Sequence, residues 1–189
     1  MVHPIEPNEG AQQRTDADVL GVRFTNRQEV VGGEVLADHH SFQVSSRTLL
    51  VIAEVKAGPC RLNGPWTRRK DENIKHVLHA LGYVRSGLLE TVSGSLYQLG
   101  RYESGEIEAR LACFGARRSD NLPASTIQFT WDEIFEFLYD RYQAFWKAKR
   151  ENQQWPPVGR LLWDMCRDQQ RDTYIRQMMT LFNVSAAND

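Results

Sequence analysis

The chain has 189 residues, of which 41% are hydrophobic and 25% charged, and its formal net charge is −1 at pH 7. That mixture excludes disordered, collagen-like and membrane classes, and the length suits one α/β domain with a modest helical appendage. Near-neutrality removes any global electrostatic argument for nucleic acid, so such a contact must come from local patches.

Residues 1–15 are polar, with Pro4, Pro7 and an Asn8-Glu9-Gly10 turn signal, and read as a loop or a strand remnant. Asp18 to Phe24 is a compact apolar stretch bounded by charges, the pattern of a buried strand. Residues 25–47 mix glycines, charges and His39-His40, an excursion with a short hairpin around Val30 to Val35. Adjacent histidines on an extended segment point apart, which favours surface residues over a metal pair. Thr48 to Lys56 then places five apolar residues in a row before an alternating end, as in a central strand covered on both faces.

After the Asn63-Gly64-Pro65 turn, Thr67 is positioned to cap a helix reaching Leu81, with Ile74, Val77, Leu78 and Leu81 on one stripe and Gly82 as terminator. Strands are expected at Ser95 to Arg101 and Ile107 to Phe114, joined through Glu103-Ser104-Gly105, with a third at Ser125 to Phe129. From Thr130 the period changes to helix, with Glu133 completing a capping box, and Pro156-Pro157 ends it. A last helical stretch runs from Val158 to Phe182 with a break near Arg171. The resulting division is a core over 1–129 and C-terminal helices over 130–189 packed on it.

No basic-then-apolar leader opens the chain and its longest apolar run is far short of the roughly 20 residues of a bilayer span, so a cytoplasmic protein without membrane partners is expected. Cys60, Cys113 and Cys166 are odd in number and widely spaced, which suggests buried thiols and neither disulfides nor zinc.

Glu54 and Lys56 carry the chemical signal, because side chains two apart on a strand share a face. Burying a carboxylate and an ammonium at the end of an apolar strand is costly unless they are paired or bind a metal. Mg²⁺ takes hard oxygen ligands and keeps several waters, so one carboxylate from each of two strands and a backbone carbonyl suffice. Asp18, Glu54 and the Val55 carbonyl form that set, and Lys56 is placed to hold or deprotonate an attacking water and to offset charge on a phosphate. Asp16 shares the face of Asp18 and is its alternative, and Asp38 is a rival acid in the excursion.

A strand opening with Asp18, a strand ending in Ala53-Glu-Val-Lys56 and a following helix resemble the PD-(D/E)xK phosphodiesterases, which include restriction enzymes and RecB-type nucleases. The similarity covers residues 16–81. It implies an α/β, restriction-endonuclease-like mixed sheet flanked by helices, here with a C-terminal helical extension. It also implies Mg²⁺ or Mn²⁺ dependence and cleavage of DNA or, less often, RNA. Arg68, Arg69, Lys70 and Lys75 are the candidate nucleic-acid contacts near the motif, although basic runs are commonly solvated helix faces. Arg141, Lys147, Lys149 and Arg150 form a second such run. The family commonly adds a polar residue on the next helix, where Asn73 or Lys75 stands, and Trp66 either lines the substrate groove or packs.

The family's first helix, which often presents a glutamate to the metal, has no counterpart ahead of Asp16. Glu6 or Glu9 substitutes, another chain supplies the helix, or the true start lies upstream; a late start is the favoured expectation. An uncovered sheet face would encourage homodimerisation. Two other functions compete with cleavage: a catalytically silent module that binds nucleic acid or a protein, and an interaction protein using the C-terminal helices with Trp131, Trp146, Trp155 and Trp163. Those tryptophans equally suit packing against the sheet.

Overall fold

The structure is a computed structural model and describes residues 17–31, 33–43, 46–151 and 155–184. Strand β1 (Val19–Arg23) pairs antiparallel with β4 (Thr48–Val55), from Val19 opposite Ala53 to Arg23 opposite Leu49. Between them, β2 (Glu29–Val31) and β3 (Glu34–Leu36) make the separate hairpin expected around Val30 to Val35. On its other side β4 runs parallel to β6 (Ile107–Gly115), with Ile52 opposite Leu111 and Glu54 opposite Cys113. The far edge of β6 is shared by β5 (Arg101–Glu103), antiparallel along its first half, and β7 (Ile127–Thr130), parallel along its second. The result is an α/β fold with a mixed, open, five-stranded sheet flanked by helices.

The strand alternation sets the two faces. Leu50 and Ile52 point with Ala109 and Leu111 into a cluster closed by Trp66, Ile74, Leu78, Val92 and Leu96. These residues come from three helices: the single turn α1 (Gly64–Thr67), α2 (Asn73–Leu81) and α3 (Leu89–Leu99). On the opposite face, Val51, Ala53 and Phe114 floor an open groove of about 390 Å³.

Three expectations change. The stretch from Asp18 to Phe24, read as a buried strand, lies at the edge of the sheet, with Val19 47%, Val22 44% and Phe24 68% exposed. The helix read from Thr67 to Leu81 is broken into α1, a 3-10 turn at Arg69–Asp71 and α2, with Glu72 at φ +50° between them. Thr67 therefore closes a turn instead of opening a helix, its hydroxyl donating to the Gly64 carbonyl at 3.2 Å. The strand read from Ser95 to Arg101 is mostly α3, and only its last residue enters β5. Leu89, Val92, Ser93 and Leu96 recur three and four apart and are all buried, and Gly100 at φ +77° ends the helix.

The C-terminal residues form α4 (Trp131–Ala144), α5 (Trp146–Glu151), α6 (Pro157–Cys166) and α7 (Arg171–Leu181), so the break near Arg171 is real. At the start of α4, the Thr130 amide donates to Glu133 Oε2 at 2.8 Å, as the capping box requires. Phe135, Tyr142, Trp163, Tyr174 and Met178 form a second apolar cluster. Within it Trp146 stacks on Trp163 with centroids 4.6 Å apart, so these tryptophans pack among helices more than on the sheet. Helix α4 is tied to the end of β4 and to the β2–β3 hairpin: Trp131 Nε1 donates to the Lys56 carbonyl at 2.9 Å, and Arg141 pairs with Glu29. No helix among the described residues is long and apolar enough to cross a membrane.

Candidate metal centre

The site forms where β1 begins and β4 ends. The β1–β4 register, extended one residue, sets Asp18 across from Glu54. The Val55 amide donates to Asp18 Oδ2 at 2.8 Å, which fixes the carboxylate against the end of β4. Lys56 Nζ donates to Glu54 Oε2 and lies 3.8 Å from Asp18 Oδ2, so both carboxylates meet on one ammonium. The three groups expected to converge do so.

Their surroundings differ sharply. Glu54 is 1% exposed, whereas the Asp18 side chain is 40% exposed and that of Lys56 16%. A carboxylate as deeply buried as Glu54 needs every oxygen answered. The Trp66 indole N–H donates to Glu54 Oε1, while Lys56 takes Oε2. Trp66 thus joins the site as a partner of Glu54, which neither of its sequence readings anticipated. A long-range bond between an indole and a carboxylate twelve residues earlier leaves no local pattern to read.

The loop after the motif strand is tied tightly to the neighbouring strand. The Lys56 amide donates to the Phe114 carbonyl at 2.8 Å, Ala116 to Gly58 at 2.7 Å and Cys60 to Arg117 at 2.8 Å. Residue 115 must be glycine here, because a Cβ would lie 2.7 Å from both the Cys60 nitrogen and the Gly58 oxygen. Cys60 and Cys113 are buried free thiols in this layer; burial, with the neighbouring Cys113 thiol adding to it, pushes Cys60 up to about 12. Burial disfavours the thiolate in both, which suits packing and not nucleophilic chemistry.

A second buried carboxylate, Glu108, lies toward the opposite end of the sheet, in register with Leu49. Arg101 Nε donates to it at 3.0 Å and Arg110 also pairs with it, which gives it a structural explanation. Asp38 is likewise separate from the site. It accepts from Arg23 at 2.6 Å and from Arg27 at 2.5 Å. Burial works to raise its pKa, but the two guanidiniums outweigh it and hold the carboxyl below its ordinary value. His39 and His40 do not diverge as an extended segment would make them. The 3-10 turn His40–Phe42 brings their rings to 4.1 Å, and His39 packs edge-on against Phe129 at 4.8 Å. Burial and the adjacent His40 lower the pKa of His39, against a smaller opposing pull from Glu133.

The basic candidates lie on and beside the 3-10 turn and α2, each exposed or half-exposed. Arg68 pairs with Asp71 at 2.8 Å, Arg69 with Glu90 at 3.4 Å, and Lys75 with Glu72 at 2.9 Å and Glu90 at 3.1 Å. Lys70 is exposed. Asn73 is buried at the first position of α2, away from solvent. Asp16, Glu6 and Glu9 lie outside the described residues.

The donor chemistry at Asp18 and Glu54 fits a hard, six-coordinate ion that keeps most of its waters. No group of three or more His, Cys, Asp or Glu side chains suited to a metal occurs among the described residues. Comparison with protein-family models, curated proteins and solved structures matches none of them to this chain.

Proposed function

We propose that this chain is a divalent-metal-dependent phosphodiesterase acting on DNA, built on the restriction-endonuclease-like plan of the PD-(D/E)xK nucleases. The observation that carries this reading is the meeting of the Asp18 and Glu54 carboxylates on the Lys56 ammonium at the end of an antiparallel strand pair. An Asp-led strand, a central strand ending in Glu-Val-Lys and helices after it support the same plan.

Asp18, Glu54 and the Val55 carbonyl are the protein ligands in this reading, and Mg²⁺ or Mn²⁺ would supply Lewis acidity and a lowered pKa for bound water. Lys56 carries three donors, of which Glu54 takes one. The others are available to hold the attacking water and to stabilise negative charge growing on a phosphoryl oxygen. Asp18, half in solvent and fixed by the Val55 amide, presents its free lone pairs on the open side, where a phosphate backbone can approach. Arg68, Arg69, Lys70 and Lys75 are the proposed backbone contacts, three of them by exchanging exposed or half-buried carboxylate partners for phosphates.

Supercoiled plasmid incubated with the protein and Mn²⁺ or Mg²⁺ tests the proposal. Nicked and linear products that disappear with chelator and with Glu54→Gln support it; products of equal yield from wild type and variant reject it.

One observation favours a second reading, a silent module that binds nucleic acid or a protein partner. Both oxygens of Glu54 are already answered by protein groups, so the network is self-sufficient without a metal. Retention of DNA that weakens steeply with salt, without cleavage in either metal, would select this alternative.

A further inference from the structure

We infer that Trp66 is a positioning residue that restricts Glu54 to one-oxygen ligation and thereby sets which divalent cation the site takes; this rests on the metal-site reading above. Trp66 is 1% exposed and its indole N–H donates to Glu54 Oε1. The indole is held on its other sides by the cluster containing Leu62, Ile74 and Leu78. Its turn is fastened as well, because the Tyr97 hydroxyl donates to the Pro65 carbonyl at 3.3 Å and accepts from the Ile74 amide at 3.1 Å. A close-packed interior gives such a ring no room to swing away.

Both oxygens of Glu54 accept, Oε1 from the packed Trp66 indole and Oε2 from the partly exposed Lys56 ammonium, which can turn aside; Oε2 is therefore the oxygen that a cation would take. Ca²⁺ takes six to eight oxygens and often engages both oxygens of one carboxylate, whereas Mg²⁺ demands a compact octahedron with single-oxygen ligands and waters. Mn²⁺ suits the same oxygen-rich octahedral sites. A Glu54 locked to one oxygen penalises the larger ion and leaves the smaller ones unaffected. Removing the indole N–H frees Oε1 and lifts that penalty.

The test is calorimetric titration of the full chain with MnCl₂ and with CaCl₂, alongside the indole region of its ¹H–¹⁵N spectrum without metal. Trp66→Phe removes the donor and keeps an aromatic ring, while Ile74→Val trims the same cluster and keeps the donor. The expected result is a wild-type preference for Mn²⁺ over Ca²⁺ that falls about tenfold in Trp66→Phe, the usual scale for losing a group that orients a ligand, and survives in Ile74→Val. The resonance absent from Trp66→Phe should also shift in Glu54→Gln. An unchanged preference in Trp66→Phe, an equal loss in Ile74→Val, or an indole resonance indifferent to Glu54→Gln overturns the inference while the metal site stands. A wild-type protein that binds no Mn²⁺ overturns both.

Discussion

The Asp18 carboxylate accepts the Val55 amide at 2.8 Å, so the acid that opens β1 is anchored to the last residue of β4. This bond explains why an exposed aspartate stays in place beside Lys56. It also separates two roles of Asp18. Asp18→Asn keeps an oxygen for Val55 and loses the charge, so stability should stay within about 1 kcal/mol of wild type. Cleavage should fall by about a hundredfold or more, the scale for losing one electrostatic element of a site. Urea unfolding and plasmid nicking measure the two effects; a parallel loss of both would assign Asp18 to stability alone.

Glu54 and Lys56 make a pair in which one member is wholly buried. Removing Lys56 strands the Glu54 charge, and Lys56→Met should cost about 3–5 kcal/mol. Replacing both, as Glu54→Leu with Lys56→Met, removes the stranded charge and should restore part of that stability without restoring cleavage, since the buried Trp66 N–H then lacks its acceptor at a cost of about 1–3 kcal/mol. Chemical denaturation of the single and double variants reads this directly. A double variant less stable than Lys56→Met would show that the pair is not the source of the cost.

In the second apolar cluster the Tyr174 hydroxyl is buried with no hydrogen-bond partner among the described residues. An unanswered buried hydroxyl costs free energy, so Tyr174→Phe should raise stability by about 1 kcal/mol. A thermal melt checks this, and a lowered midpoint would mean that the hydroxyl has found a partner in solution.

Several buried acids favour their protonated forms. Burial pushes Cys60 up to about 12 and Tyr83 up to about 12, and it raises Cys113, Cys166, Tyr97, Tyr142 and Tyr174. Below the ordinary thiol value of 9.0, folded and unfolded chains both hold the Cys60 proton and its contribution is complete. As pH rises above that value the unfolded chain loses the proton first, so stability declines toward about 12. Urea midpoints should therefore be level from about pH 7 to 8.5 and fall steadily above, the tyrosines joining from 10.0 upward. A flat midpoint through that range would contradict the burial of these groups.

Much of the sheet was legible because its signals are local. Five apolar residues ending in Glu-Val-Lys define β4, and the same strand arithmetic that puts Glu54 and Lys56 on one face is what the structure displays. Helix α3 was not legible as a helix, since Thr91, Val92, Ser93, Gly94 and Ser95 have low helix propensity and packing against α2 and the sheet overrides it. The split at Glu72 was hidden for a different reason: the apolar stripe of α2 is continuous, and the break falls in polar residues that carry no periodicity. The bond from Trp66 to Glu54 and the pairing of Arg69 and Lys75 with Glu90 depend on how separate helices dock, which no sequence spacing encodes.

Mn²⁺-dependent cleavage of plasmid by Lys56→Ala, set beside wild type, decides whether Asp18, Glu54 and Lys56 form one metal-dependent cleavage site. Chelator-sensitive cleavage by the wild-type protein and a loss of about a hundredfold or more in the variant are expected, with the variant still folded by circular dichroism. Equal cleavage by the two proteins, or none by wild type in either Mn²⁺ or Mg²⁺, would contradict such a site.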